Sequence, residues 1–477
     1  MKRYIIHTLY IVFASVIVSS CGLVSPGEIV NPNVVEDDFL DSDNAMQTWV
    51  NGTQKQFALA VGEYCQLMEI LSDNYYNNYS RSSKVFDQPI LMASDELVIK
   101  LQRYVGTLRE SADYGFNVVA KHDNNFTDKE KFTLYYIKAY SYILAGEFFT
   151  GLPVEEGGEV QSWEKHLTLA LETLDKAMDY AETNEDKAFI HTLKARVYYR
   201  QGDKANAVAE AKESLNQDAE LCRQVTFDGE NNVTNVAQEA IWGTWFQPLP
   251  RLDFLDPKYY QMKSTDECAI NIAKAEENYL ILAEASLSDN NVAEAKTYLD
   301  KLLSLVNSRP VKTDLDDHLD GRFNGGAKHY PVGADYVVAA CEGAPFRSGL
   351  VLDRTAPNLI TVPYISGTSV TEDMIVGATT VEELLHTVYL MRQEIFMAEG
   401  RRPADLGIRL PLGDVEAANL GNADSYMTAL VPDFIPTNGQ MDAFTMDEEK
   451  KQVTILYDMN KVIIDNRRSS YVAPFFK

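Results

Sequence analysis

Two segments of this chain lie over each other residue for residue, and that repetition limits the folds open to it. In the first, Ile190, Leu193 and Val197 recur at helical spacing, then Val208, Ala211 and Leu215, with a break at Gly202-Asp203. In the second, Tyr279, Leu282, Ala283 and Ser286 are followed by Val292, Ala295, Leu299 and Leu302, with a break at Asn290-Asn291. Ala195 matches Ala283, Gly202 matches Asn290, Ala207 matches Ala295, and Leu215 matches Leu303. Apolar residues every three or four positions mark one buried helix face. Small residues at fixed places let two helices approach closely. Such a unit cannot bury its apolar face alone, so it stacks on neighbours.

The spacing of Ala195, Tyr198, Gly202, Ala207 and Ala211 is that of a tetratricopeptide repeat, and a generic amphipathic hairpin is the alternative. Further helical stripes run through Phe132, Tyr135, Tyr136, Ala139 and Ile143, and through Leu167, Ala170, Leu171, Leu174, Ala177 and Met178. Thr127 with Glu130, and Thr380 with Glu383, have capping-box spacing, and the second precedes a helix carrying Leu384, Val388, Met391, Ile395 and Ala398. The expected fold is mainly α: tetratricopeptide-like helix pairs in a right-handed superhelical scaffold, with long irregular loops and a few short strands. The pairs fall at about 128–220, 268–309 and 380–406, and loop-rich insertions at about 221–267, 310–379 and 407–477, all within one domain spanning 46–477.

The N-terminus is read separately. Lys2 and Arg3 precede a mostly apolar stretch from Tyr4 to Val18, short for a membrane span and flanked like a secretory signal. It ends in Val18-Ser19-Ser20-Cys21, the order of a bacterial lipobox: aliphatic, small, small, cysteine. Residues 1–20 are therefore expected to be a lipoprotein signal peptide, Cys21 the lipidated residue, and 21–45 a lipidated tether. An ordinary signal with an incidental cysteine is the alternative.

The net charge of −27 opposes nucleic-acid binding, and no basic stripe offsets it. Cys65, Cys222, Cys268 and Cys341 are far apart without CxxC spacing, which argues against zinc; buried free thiols are expected, and spacing leaves any disulfide pairing open. Asp314, Asp316, Asp317, His318 and Asp320 form a carboxylate-rich loop without the regular calcium-loop spacing, so a solvated loop is expected. No Gly-x-Ser-x-Gly, His-Glu-x-x-His or P-loop occurs.

Aromatics offer the better lead. Flat C–H faces of sugars stack on Tyr and Trp, while amides fix hydroxyls. Tyr75, Tyr76 and Tyr79 sit among Asn74, Asn77 and Asn78 in a segment without helical periodicity, and Trp245 precedes a Pro-rich loop. These are the candidate ligand residues, with packing as the alternative fate.

Four further places carry a family resemblance. Asp38-Phe39-Leu40-Asp41 through Asn51-Gly52 resembles an acidic opening followed by a helix start; Phe148 to Pro153 resembles a helix closed by a Gly-x-Pro turn. Ala275-Glu-Glu-Asn-Tyr-Leu-Ile-Leu-Ala-Glu-Ala285, with Ala295 and Arg309, and the set Arg392, Glu399, Gly400, Arg402, Asp405 and Leu406 complete the pattern. In this order they resemble the SusD/RagB family of nutrient-capture lipoproteins. The resemblance implies non-catalytic capture of an oligosaccharide, or of a peptide as in RagB-like relatives, at the outer membrane beside a SusC-like TonB-dependent transporter. It implies no cofactor, and it gives Glu284, Arg309, Arg392, Glu399, Gly400, Arg402 and Asp405 structural roles. A helical hydrolase and a repeat scaffold for protein assembly are the other classes kept open.

Overall fold

The computed structural model describes residues 36–77, 83–242, 245–259, 267–316, 330–354, 359–418 and 420–477. The signal segment, Cys21 and the tether up to residue 35 lie outside the described residues, as do Asn78, Tyr79 and residues 317–320 of the acidic stretch. The frame consists of α1 (Ala45–Ile70), α2 (Glu96–Tyr114), α3 (Asp128–Phe148), α4 (Trp163–Met178), α5 (Asn184–Gln201), α6 (Lys204–Gln217), α7 (Ala275–Ser288), α8 (Val292–Ser308), α9 (Val381–Ile395) and α10 (Arg402–Leu406). Consecutive pairs α3/α4, α5/α6 and α7/α8 pack together, α6 packs on α7, α7 on α9, and α1 on α2 and α3.

The two matched hairpins turn in the same way. Gly202 and Asn290 both take left-handed backbone, with φ of 75° and 57°. In each, the following N–H reaches back five residues: Asp203 to the Tyr198 carbonyl at 2.9 Å, and Asn291 to the Ser286 carbonyl at 2.8 Å. Such a left-handed residue satisfies carbonyls left open at a helix end. Asp203 and Asn291 then cap the next helices, accepting from Asn206 N and Glu294 N. Ala195, Ala207, Ala283 and Ala295 are all fully buried. The expected capping boxes form at Thr127/Glu130 and Thr380/Glu383.

The roughly sixty residues between these hairpins do not separate them in space. Cys222–Val225 pairs antiparallel with Ile270–Lys274, Cys222 facing Lys274, so the end of α6 is drawn beside the start of α7. Within that junction Asn278 donates to Thr192 Oγ1 and Ser214 Oγ at 2.9 and 3.0 Å, tying α5, α6 and α7 together.

Several expectations need correction. Asn51-Gly52 does not start a helix; it lies inside α1, which begins at Ala45. The loop-rich stretches hold paired strands: Leu359–Pro363 joins Val311–Asp316, so Asp314 and Asp316 belong to a strand rather than a loop. A four-stranded sheet orders Phe444–Asp447, Gln452–Ile455, Val337–Ala339 and Phe346–Arg347, joining the second and third insertions. Cys65, Cys222 and Cys341 are free thiols; of the four cysteines only Cys65 is buried, and Cys222, Cys268 and Cys341 are half-buried.

Candidate functional site

The residues singled out by family resemblance converge on a buried ionic spine. Arg392, on the last turn of α9, places Nε 2.9 Å from both carboxylate oxygens of Asp405, and Arg200 from α5 donates to the same Asp405 at 2.9 Å. Burial alone would raise the Asp405 carboxyl, but the two guanidinium groups overcome it and hold it at about 2. Glu399 accepts from Lys274 at 2.7 Å and Lys258 at 3.0 Å. Arg309 forms a two-pronged pair with Glu276, both contacts at 2.8 Å. Glu284 is fully buried, and burial lifts it to about 7 although the Tyr199 hydroxyl donates to it at 2.8 Å. The neighbouring Glu277, which resemblance had not singled out, is gripped by Arg196 and Arg401. Strongly shifted groups often mark active sites, but these are enclosed and hold helices to one another.

The tyrosine and asparagine cluster lies elsewhere than expected. Tyr75–Asn77 is a short strand paired antiparallel with Phe246–Pro248. Asn74, Tyr75, Tyr76 and Asn77 are each at most 2% exposed, which corrects the picture of an open, loop-borne stacking platform. The Tyr76 hydroxyl donates to Gln247 Oε1 at 2.7 Å, Asn74 is held by Glu69 and Gln393, and the Asn77 N–H donates to Asp87. Asp73, just before them, neutralises Arg402 at 2.8 Å and Arg251 at 3.2 Å. Asp73 receives cationic groups of the spine, whereas the Asn74 side chain and the Asn77 backbone bond to Glu69, Gln393 and Asp87, partners invisible in local sequence. Trp245 is half-buried and packs on the core from the opposite strand's approach, so it is the one described candidate with accessible surface.

A row of half-buried aromatics escaped the sequence reading. Trp49 and Tyr114 stand 4.6 Å apart, Phe116 and Tyr135 4.2 Å, and Tyr135 stacks on Tyr180 at 5.7 Å. The Trp49–Tyr114 pair joins α1 to α2, and Phe116, just past α2, and Tyr180, just past α4, pack on Tyr135 of α3. A helical periodicity places such residues on one face but does not reveal that different helices bring them into one row. Among the described residues, no group of three or more His, Cys, Asp or Glu side chains could hold a metal ion.

Comparison with protein-family models finds no match, and comparison with curated proteins finds none either. Solved structures do match. A SusD-like protein from Bacteroides fragilis superposes with a TM-score of 0.50 at 13% identity, covering 78% of this chain and 87% of its own. NanU of B. fragilis gives 0.51 at 11% identity, covering 85% and 96%. A Bacteroides vulgatus protein provisionally assigned to sugar binding gives 0.52 at 11% identity, covering 80% and 98%. At such identity the likeness is one of fold: this chain shares the fold of SusD-like proteins.

Proposed function

We propose that this protein is a non-catalytic nutrient-binding lipoprotein of the outer membrane. Its Cys21 carries the lipid, its ligand is an oligosaccharide, and a SusC-like TonB-dependent transporter receives the cargo. The observation that carries this reading is the shared frame: the superposition spans 85% of this chain and nearly all of NanU. Motif order supports it, since Arg309, Arg392, Glu399 and Asp405 stand in the ion pairs that hold the frame. No helix among the described residues is long and apolar enough to cross a membrane, so attachment in this reading rests on the lipid. Of the described candidate ligand residues, half-buried Trp245 is the one with surface for stacking on a sugar ring.

The test is calorimetry against glycans and peptides with product analysis on the same mixtures. Saturable glycan binding without product supports the reading, and Trp245→Ala should weaken it about tenfold. Peptide binding alone would favour the RagB-like version, and sustained product release would replace the reading with the hydrolase. For the anchor, Cys21→Ala should leave the membrane fraction; a variant that stays there refutes the lipid assignment.

A further inference from the structure

A recess of about 220 Å³ lies where α4, α5 and the segment after α10 meet the chain's last residues, lined by Trp163, Arg200, Asp405, Arg409, Tyr471 and Lys477 among others. Gly407 shapes its wall: with φ of 74°, it passes so close to Tyr471 that an added Cβ would lie 2.9 Å from that residue's carbonyl oxygen. Beyond it, Arg409 is pinned through its backbone to Leu430, at 2.8 and 3.0 Å, and its guanidinium lies 4.0 Å from the Trp163 ring centre. One Nη1 hydrogen bond goes to the Gly146 carbonyl.

The charges do not balance. Asp405 is shared by Arg392 and Arg200, and Glu147 is taken by Arg200 at 2.7 Å. Arg409 forms no ion pair among the described residues, although Glu164 lines the same recess. Arg409 is depressed to about 9, first by burial and then by Arg200, with Glu147 and Glu164 pulling the other way. The Lys477 ammonium, at the rim, is lowered by loss of water and by Arg409. Arg409 is half-buried, and a cation drawn partly out of water without a counter-ion is costly unless something pairs with it.

We propose that this recess binds a small oxyanion-bearing molecule, with Arg409 as its two-pronged anchor and Lys477 closing the rim. The planar guanidinium fork matches a carboxylate or phosphate. The volume equals that of about seven waters, enough for phosphate or for one carboxylate-bearing sugar ring, but not for a longer chain. The site is separate from Trp245 and does not depend on the function proposed above.

The experiment is titration calorimetry on the purified protein in low-salt chloride buffer near neutral pH. Sodium phosphate and sodium glucuronate are the probes, and glucose is the neutral control. Saturable binding of either anion, without glucose binding, is expected, and which anion binds identifies the source of the oxyanion. Arg409→Gln should weaken it at least about tenfold without lowering the Tm of the unliganded protein. Should that variant fail to fold, Lys477→Glu, which places a competing carboxylate at the rim, should give a comparable loss. No saturable binding of either anion overturns the proposal, as does unchanged affinity in the folded variant.

Discussion

The backbone N–H of Gly400 lies 2.7 Å from Glu69 Oε1, joining the first long helix to the turn after α9 across more than three hundred residues. Gly400 has φ of 69°, and a Cβ added there would fall 2.7 Å from Cys65 Cα. Both the left-handed backbone and the close approach demand glycine. Gly400→Ala should therefore destabilise the protein by at least about 2–3 kcal/mol, read as a lower urea midpoint. Gly52 is the contrast: it sits in the exposed interior of α1 with nothing within 4 Å of its added Cβ. Gly52→Ala should raise stability by about 0.5–1 kcal/mol. Equal effects of the two substitutions would refute this account.

Asp405 is the common acceptor of Arg392 and Arg200. Asp405→Asn keeps the shape but leaves two buried guanidinium groups undercompensated, at a cost of about 3–5 kcal/mol. Thermal and urea melts should agree on the loss. A variant as stable as the parent would mean that the spine contributes nothing to stability.

Glu284 provides a pH test. Its ordinary value near 4.5 is raised by burial to about 7. Between these values the folded state holds a proton that the unfolded state has released. Stability from this group is therefore greatest below about 4.5, falls as pH rises toward 7, and is level above it. Glu284→Gln removes the titration. Its stability relative to the parent should improve from pH 5 to pH 8, by up to about 3 kcal/mol. A difference between the two proteins that stays constant with pH would contradict the raised value.

Ala207 and Ala295 occupy equivalent, fully buried places in α6 and α8. Replacing either with Phe should overpack the junction and cost about 1–3 kcal/mol. Lys212, exposed on α6, is the control and should tolerate Ala. Lys204 is a poor control, because it is half-buried and reaches Ser288 and Asp289 of the neighbouring hairpin. Melting temperatures indistinguishable from the parent for both Phe variants would undo the equivalence of the two hairpins.

Helix positions, capping boxes and the matched hairpin turns were legible in the sequence because they depend on residues three to five positions apart. Periodicity places apolar residues on one face, and Gly202 and Asn290 supply the same left-handed turn whatever lies around them. The structural roles of Arg392 and Asp405 came through resemblance, and their pairing is itself nearly local. The partners of the other spine residues lie far away along the chain: Arg402 meets Asp73, Glu399 meets Lys274 and Lys258, and Gly400 meets Glu69. That distance explains the misreading of Asn74–Asn77, whose polar and aromatic composition suits a sugar platform as well as it suits a buried strand bonded to Glu69, Gln393 and Gln247. It also explains why the Arg409 recess had no signal in sequence. Arg409's lack of a counter-ion shows only once the nearby Asp405 and Glu147 are seen to be taken by other guanidinium groups, and tertiary packing alone makes that assignment.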